Sequence, residues 1–355
     1  MNYIKIFYII LTSTKFKFSK PKEVDILLYD QGVKFNKIIK SYFKKYKKTI
    51  LYSRFEELNI YIIFSILIKF KFLNNCSLFQ NYIIEYCELA KPKIIISSTL
   101  WDAKLLSLKK KLNFKTKIIL VQPFPVRKKY FKILKEKYEV DYIFHMDNAY
   151  TKILKKYFFS KYVKLGSFAN NQIKVKKKKN KNILLISGFR TNFFVKNPTS
   201  EWELLVEHEK QLVKILAKKI TKGVKFRVLI KPFVDLKDYC EIMECSKTIV
   251  IPNNNINPYN IMDEHSIIIT MNNGTMGHEA IARRIKHIRV CRENIFISGN
   301  FFEVRKKANL KKFLERFYKM PTKKFFEICH KEKIDIFPYN YDNLILRNLI
   351  TKIIR

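Results

Sequence analysis

Glycine and proline are scarce in this chain, at 7 and 10 of 355 residues. That excludes collagen-like, Gly-rich and Pro-rich low-complexity architectures. Acidic residues are scarce too: 30 Asp and Glu stand against 71 Lys and Arg, a formal net charge of +41. No apolar run is long enough to span a bilayer. The longest, Ile60–Ile68 (IYIIFSILI), stops at Lys69, whereas a spanning helix needs about 20 residues. The Ile6–Leu11 run is shorter than a signal-peptide core, and KFKFSK follows it in place of a cleavage site. The six cysteines (76, 87, 240, 245, 291 and 329) form no CxxC pair and lack His partners at zinc spacing. Reduced thiols and a cytoplasmic location are therefore expected. With no HxxxH, HExxH, GxSxG, GxGxxG or Walker pattern in the chain, no metal and no bound cofactor are expected.

What is there is globular: 48% apolar and 28% charged residues. The length suits two domains. Lysine, isoleucine, phenylalanine, tyrosine and asparagine are all frequent, as codons rich in A and T would produce, so part of the basic charge reflects composition. The charge is spread along the whole chain. Spread charge gives weak, salt-sensitive attraction to polyanions without nucleic-acid specificity. Peripheral association with an anionic membrane through Lys-rich amphipathic faces is a further expectation.

Short, nearly continuous apolar runs recur along the chain. They are Val24–Tyr29, Thr49–Tyr52, Lys93–Ser97, Lys117–Val121, Asp141–Phe144 and Tyr162–Leu165 in the first half. Asn182–Ile186, Phe226–Ile230, Thr248–Ile251, Ser266–Thr270 and His287–Val290 follow in the second. Such runs read as strands buried on both faces. Helix-like segments lie between them: Ser77–Ala90, Trp101–Lys111, Arg127–Tyr138, Glu201–Ile220 and Met276–Arg284. Strand–helix alternation implies parallel, doubly wound sheets. QIKVKKKKNKN at 172–182 reads as a basic linker. The expected organisation is a Rossmann-like domain at 1–171, a second Rossmann-like domain at 183–335, and a C-terminal helix in 336–355 that returns to the first domain. The two domains would face a cleft, with ligands at the carboxyl ends of the strands.

Three strand ends carry phosphate-binding chemistry. IIITMNNGTMGHEAIARRIK begins at Ile267 and runs from a strand through Asn272, Asn273, Gly274 and Thr275 into a helix starting at Met276. Free amides at a helix start attract an anion, and Glu279 in the first turn suits ribose hydroxyls. The competing structural reading is an ordinary βα turn with Thr275 as cap and Glu279 as first-turn acid. ILLISGFRTN places Ser187 and Gly188 at a strand end with Arg190 behind them, an arrangement that suits a diphosphate; a surface loop with a solvated Arg is the alternative. VLIKPF places Lys231 at another strand end, for phosphate or for solvent. Candidate general bases are the strand-end acids Asp30, Asp102 and Asp147, of which Asp102 and Asp147 could equally be helix caps. His278, beside Glu279, is a further acid–base candidate.

In order, the segments FSKPKEVDILLYDQG, AKPKIIISSTLWD, KIILVQPFPVRK, YVKLGSFANNQ, ILLISGFRTN, VLIKP and NNGTMGHEAIARRIK resemble the surface carbohydrate biosynthesis proteins, a GT-B-like glycosyltransferase group. They cover most of 18–305. A wider resemblance links Asn273–Lys286 to the nucleotide-binding helix of GT-B glycosyltransferases, glycerophosphotransferases and sugar-nucleotide 2-epimerases. The resemblance implies two doubly wound Rossmann-like domains in a GT-B-like α/β fold. It also implies a nucleotide-sugar donor as substrate, a glycan or lipid-linked acceptor, and a role in capsule or lipopolysaccharide assembly. Carried over by position, Ser187, Gly188, Arg190 and Lys231 would meet the donor phosphates. Asn272, Asn273, Gly274, Thr275 and Met276 would supply the helix start, and Glu279 the ribose contact. Three positions depart from the family pattern. Gln122-Pro123-Phe124 stands where Gln-Asn-Gly is usual, Gly274 where Ser is frequent, and Trp101-Asp102 in place of an Asp-Asn pair. The alternatives are a sugar-nucleotide 2-epimerase, for which His278 is the residue to test, a non-catalytic polyanion-binding protein, and a degenerate transferase.

Overall fold

A computed structural model describes residues 14–30, 33–53, 56–123, 128–176, 182–190, 200–219, 225–252, 256–271, 275–290, 303–304, 310–332, 334 and 336–355. The chain divides into two compact units. One comprises Met1–Phe168 with Asn343–Arg355, and the other Ala169–Asp342.

In the first unit the strands are β1 (Lys15–Lys17), β2 (Ile26–Asp30), β3 (Lys48–Tyr52), β4 (Glu57–Asn59), β5 (Ile94–Ser97), β6 (Lys117–Val121), β7 (Tyr138–His145) and β8 (Phe158–Lys164). The longer helices among the described residues are α1 (Val33–Tyr42), α2 (Ile60–Ile68), α3 (Leu78–Ala90) and α4 (Asn148–Tyr157). Six strands form one parallel sheet in the order β3-β2-β5-β6-β7-β8, and β1 pairs with β4 separately. Every residue of β5 is buried, as the IIIS run requires. Between β2 and β5 the chain reverses the direction in which it adds strands, which places a topological switch point at their carboxyl ends.

In the second unit the strands are β9 (Ile183–Ile186), β10 (Phe226–Leu229), β11 (Val250–Ile251), β12 (Ile267–Met271), β13 (Lys286–Val290) and β14 (Glu303–Val304). The helices are α5 (Ser200–Lys219), α6 (Leu236–Met243), α7 (Pro258–Asp263), α8 (Met276–Ala282), α9 (Leu310–Lys319) and α10 (Thr322–Lys331). The sheet is parallel in the order β11-β10-β9-β12-β13-β14, so its switch point lies between β9 and β12. β13 is buried throughout although it reads KHIRV. The Lys286 ammonium is accommodated because it donates to the carbonyls of Phe317, Tyr318 and Met320 at the end of α9 (3.0, 3.2 and 2.7 Å).

The final helix, α11 (Leu344–Ile354), belongs to the first unit. Its i, i+4, i+8 stripe, Leu346, Ile350 and Ile354, is buried with Ile26, Leu28, Ile94 and Phe168. Asn343 secures its start by donating to Phe168 O and Tyr42 Oη, both at 3.0 Å.

Local expectations fail where tertiary partners intervene. The expected linker at 172–182 begins inside the second unit, because Arg283 binds the carbonyls of Ile173 (3.0 Å) and Lys174 (3.4 Å); residues 177–181 lie outside the described residues. The expected helix over Trp101–Lys111 is two short pieces, Ala103–Leu106 and Leu108–Lys111, broken where the Ser107 hydroxyl bonds back to Lys104 O. Of the expected helix Arg127–Tyr138, Lys128–Phe131 is helical and Tyr138 already opens β7 opposite Phe158.

Candidate functional site

In the second unit, three neighbouring strands, β10, β9 and β12, deliver the candidate phosphate-binding residues at their carboxyl ends. β9 runs out at Ser187 and Gly188, both buried, followed by exposed Arg190. β10 runs out at Lys231, whose Nζ donates to Gly188 O at 3.1 Å. Thus the sheet brings Ser187, Gly188 and Lys231 together. Burial, then the neighbouring Arg190 guanidinium, lower the Lys231 pKa from its ordinary value to about 8, against a weaker opposing pull from Glu209. An ammonium held at that threshold beside a permanent guanidinium gains when a phosphate arrives, because the added negative charge favours its protonated form.

Beneath this turn lies a residue absent from the sequence-based candidates. Glu209 on α5 is fully buried. Its carboxyl accepts from the Gly188 amide (2.9 Å) and from Tyr239 Oη (2.8 Å), and the Ser187 hydroxyl bonds to it as well. Ser187 Oγ in turn accepts from the Phe189 amide at 3.0 Å. Burial pushes the Glu209 pKa upward even against these hydrogen bonds. The signal was present in the sequence: Glu209 is an acid inside the apolar stripe Val206, Leu212, Val213, Leu216 of an otherwise amphipathic helix.

β12 leads toward α8 through Asn272, Asn273 and Gly274, which lie outside the described residues. Thr275 precedes α8, and its hydroxyl makes no capping bond to the helix. Met276 packs against the apolar layer of Leu184, Ile268 and Ala280. Glu279 is buried and accepts from Tyr259 Oη at 3.1 Å. His278 is buried with its ring stacked on Phe337 (4.5 Å between centroids, 4° between planes). Burial, then His287 and Arg289, hold its pKa well below the usual histidine range. Gly277 has a steric reason to be glycine. A Cβ there would lie 2.5 Å from Nε2 of the buried His287, which is hydrogen-bonded to Thr270 Oγ1 at 2.8 Å. Gly277→Ala should therefore destabilise the protein by about 1–3 kcal/mol. Thermal melts should show a smaller penalty for the same methyl in a His287→Ala background.

In the first unit, Asp102 sits just past β5 at that sheet's switch point. One carboxylate oxygen accepts from Tyr29 Oη (2.6 Å) and the other from the Lys104 amide (3.0 Å). Asp102 thus caps its own short helix and also faces the buried end of β2. Burial, then the Asp102 carboxylate, push the Tyr29 hydroxyl far above its ordinary pKa, so it stays a donor. Beside Asp102, the Trp101 indole stacks on Tyr130 at 4.9 Å, an aromatic pair that sequence reading did not single out. Asp30 ends β2; the placement of its side chain is outside the description. Asp147 is fully buried, and its carbonyl lies 2.7 Å from His145 Nδ1.

Two parallel, doubly wound sheets, each with candidate site residues at its carboxyl edge, define a GT-B-like α/β protein. Solved structures share this fold. The chain matches the wall teichoic acid polymerase TagF (H548A) with a TM-score of 0.51 at 13% identity over 94% of this chain and 89% of that one. It matches Staphylococcus aureus MnaA in a co-structure with UDP at 0.52, 11% identity and 96% of both chains. For the glycotransferase of kitacinnamycin the values are 0.53, 9%, and 94% and 99%. No curated protein matches by sequence. Residues 124–354, more than half of the chain, match the model of the O-antigen biosynthesis protein family, and the chain belongs to that family.

Proposed function

We propose that the protein is a cytoplasmic glycosyltransferase of surface-polysaccharide assembly that takes a nucleotide-activated sugar on its second unit and a glycan or lipid-linked acceptor on its first. The observation that carries the proposal is the Lys231–Gly188 contact, with Arg190 beside it, at the carboxyl ends of adjacent strands. The family match and the shared fold with a UDP-bound protein and a glycotransferase support it.

In the proposed reaction, Lys231 and Arg190 neutralise the donor diphosphate as it leaves, so transition-state charge is met by fixed cations of the chain itself. Ser187 and Gly188 give the phosphates a close backbone approach, with Thr275 at the edge of the neighbouring strand. Glu279, oriented by Tyr259, suits the ribose hydroxyls. On the acceptor side Asp102, oriented by Tyr29, is the candidate base, and Trp101 with Tyr130 offers an aromatic surface for a sugar face. The epimerase alternative needs an acid–base group at the donor. The stacking of His278 on buried Phe337 favours the transferase over it.

The test is a thermal-shift screen of UDP-, GDP-, CMP- and CDP-linked sugars. One donor should stabilise the protein, and Lys231→Ala should abolish most of that shift. Unchanged donor affinity in both Lys231→Ala and Glu279→Ala would refute the site. Conversion of the donor without any acceptor would make the enzyme an epimerase. The affinity should also depend on pH in a definite direction. Protonated Lys231 is the binding form, so donor affinity should be flat below about pH 8 and fall above it, approaching about tenfold per pH unit for one coupled proton. Isothermal titration across pH 6.5–9.5, with Lys231→Arg as a variant that stays charged, checks the sign.

A further inference from the structure

The first unit carries an apolar surface that its own core does not use. α2 buries Ile62 and Ile66, but Phe64 and Ile68 are 59% and 74% exposed. Beyond it, the turn through Phe70 and Leu73 leaves these two 65% and 71% exposed. β1 pairs with β4, which runs directly into α2, and Asn59 at that junction donates to Ser19 O at 3.0 Å. Phe18, one residue before Ser19, is 72% exposed. Phe64 and Ile68 lie one turn apart on α2, and the exposed side chains continue into the turn that follows it. Such clustering of exposed apolar residues marks an interaction surface.

The display is firmly braced. Glu85 on α3 is fully buried and accepts from Ser65 Oγ, Lys69 Nζ and Lys71 Nζ, each at 2.6 Å. Lys71 also pairs with Glu88. Burial alone would raise the Glu85 pKa, but the two ammonium groups and the hydroxyl outweigh it and bring it down to about 2. The polar side of the α2 turn is thereby tied to α3, and the apolar side points outward.

The rim is basic. Lys15, Lys17, Lys20 and Lys22 are all exposed on and just after β1, and Glu57 opposite is paired with Lys17. We infer that the outer face of α2, with the turn through Phe70–Leu73 and the β1 edge, seats the protein on an anionic lipid bilayer, the apolar side chains entering the headgroup boundary and the lysines meeting lipid phosphates. Charge decides against a second copy as the occupant: two chains of +41 each would bring like-charged rims together. α2 has nine residues, which suits lying in the interface and not crossing it. The inference adds a surface to the lipid-linked-acceptor proposal but rests on observations separate from the donor site.

The experiment is co-sedimentation of the full chain with vesicles of phosphatidylcholine containing about 30 mol% phosphatidylglycerol, against pure phosphatidylcholine. Binding should require the anionic lipid and weaken steeply with salt. Phe64→Asp/Ile68→Asp should bind at least about tenfold more weakly, with unchanged circular dichroism. Lys20→Glu/Lys22→Glu should bind several-fold more weakly and with a shallower salt dependence. Absence of vesicle binding by the parent protein, or equal binding by Phe64→Asp/Ile68→Asp, overturns the inference. So does concentration-dependent self-association that the aspartates abolish without any vesicle binding. The donor-induced thermal shift, measured without vesicles, should be the same in parent and aspartate variant. That keeps a failure of the membrane surface distinct from a failure of the donor site.

Discussion

Replacing Arg283 by Met should destabilise the second unit by about 3–5 kcal/mol, among the largest losses that a single substitution in this protein can cause. Arg283 and Asp263 are both fully buried and form a two-point ion pair, Nε to Oδ1 at 2.8 Å and Nη2 to Oδ2. Nη1 of Arg283 also donates to Asn170 Oδ1 (2.9 Å) and Ile173 O (3.0 Å). The guanidinium lies over the rings of Tyr259 and Tyr339 at 5.7 and 5.8 Å. Removing it leaves the Asp263 carboxylate buried without its counter-charge, and that desolvation term dominates the loss. Asp263→Leu/Arg283→Met should therefore recover stability relative to Arg283→Met, although the double variant has lost more interactions. Urea unfolding measures the sum. Hydrogen exchange localises it: the Lys176 amide, which donates to Asp263 Oδ2 (2.9 Å), and the Val175 amide, which donates to Tyr339 Oη (3.2 Å), should lose protection first. A double variant less stable than Arg283→Met would show that geometry and not charge governs the cluster.

The same cluster shows what local composition conceals at the near end of the expected linker. A run of lysines reads as solvated chain when only sequence neighbours are counted, yet residues 173 and 174 are held through their carbonyls by an arginine more than a hundred positions away. Backbone partners of that kind leave no mark on local composition. All eleven apolar runs became strands, but burial on both faces holds for inner strands such as β5, β12 and β13. The edge strands β3 and β8 are mostly half-buried or exposed. β1, β4 and β14 were not anticipated. They are two or three residues long, and ELN at 57–59 has no alternation, so pairing with β1 makes it a strand. IYIIFSILI was legible as too short to span a bilayer, but which of its side chains are covered depends on α3 and β1. At the candidate site, Ser187, Gly188 and Lys231 were legible because they terminate buried runs. Tyr29 was not, since its bond to Asp102 arises from adjacent strands brought together by the sheet. Nor was the stacking of Trp101 on Tyr130, which lies on a separate short helix.

Glu209→Ala should abolish donor binding and cost about 3 kcal/mol of stability, because it strips the partner from a buried amide, a tyrosine hydroxyl and a serine hydroxyl at once. The larger consequence is positional. The Gly188 amide is fixed by Glu209 and the Gly188 carbonyl holds Lys231, so one buried carboxyl sets both edges of the proposed phosphate cradle. Glu209→Gln separates the structural from the electrostatic contribution. Its amide oxygen can accept from the Gly188 amide, while its NH2 donates to Tyr239 Oη once that hydroxyl turns. Stability and donor affinity below pH 7 should then be largely retained. Glu209 is the group that raises the Lys231 pKa against burial and Arg190. Without its charge, the pH at which donor affinity begins to fall should move below the parent value of about 8. Titration of donor affinity against pH in parent, Glu209→Gln and Lys231→Arg decides the matter. A displaced midpoint in the glutamine variant, with Lys231→Arg insensitive to pH, assigns the ionisation to Lys231 and its control to Glu209. An undisplaced midpoint removes Glu209 from the electrostatics of the site and leaves it the structural task alone.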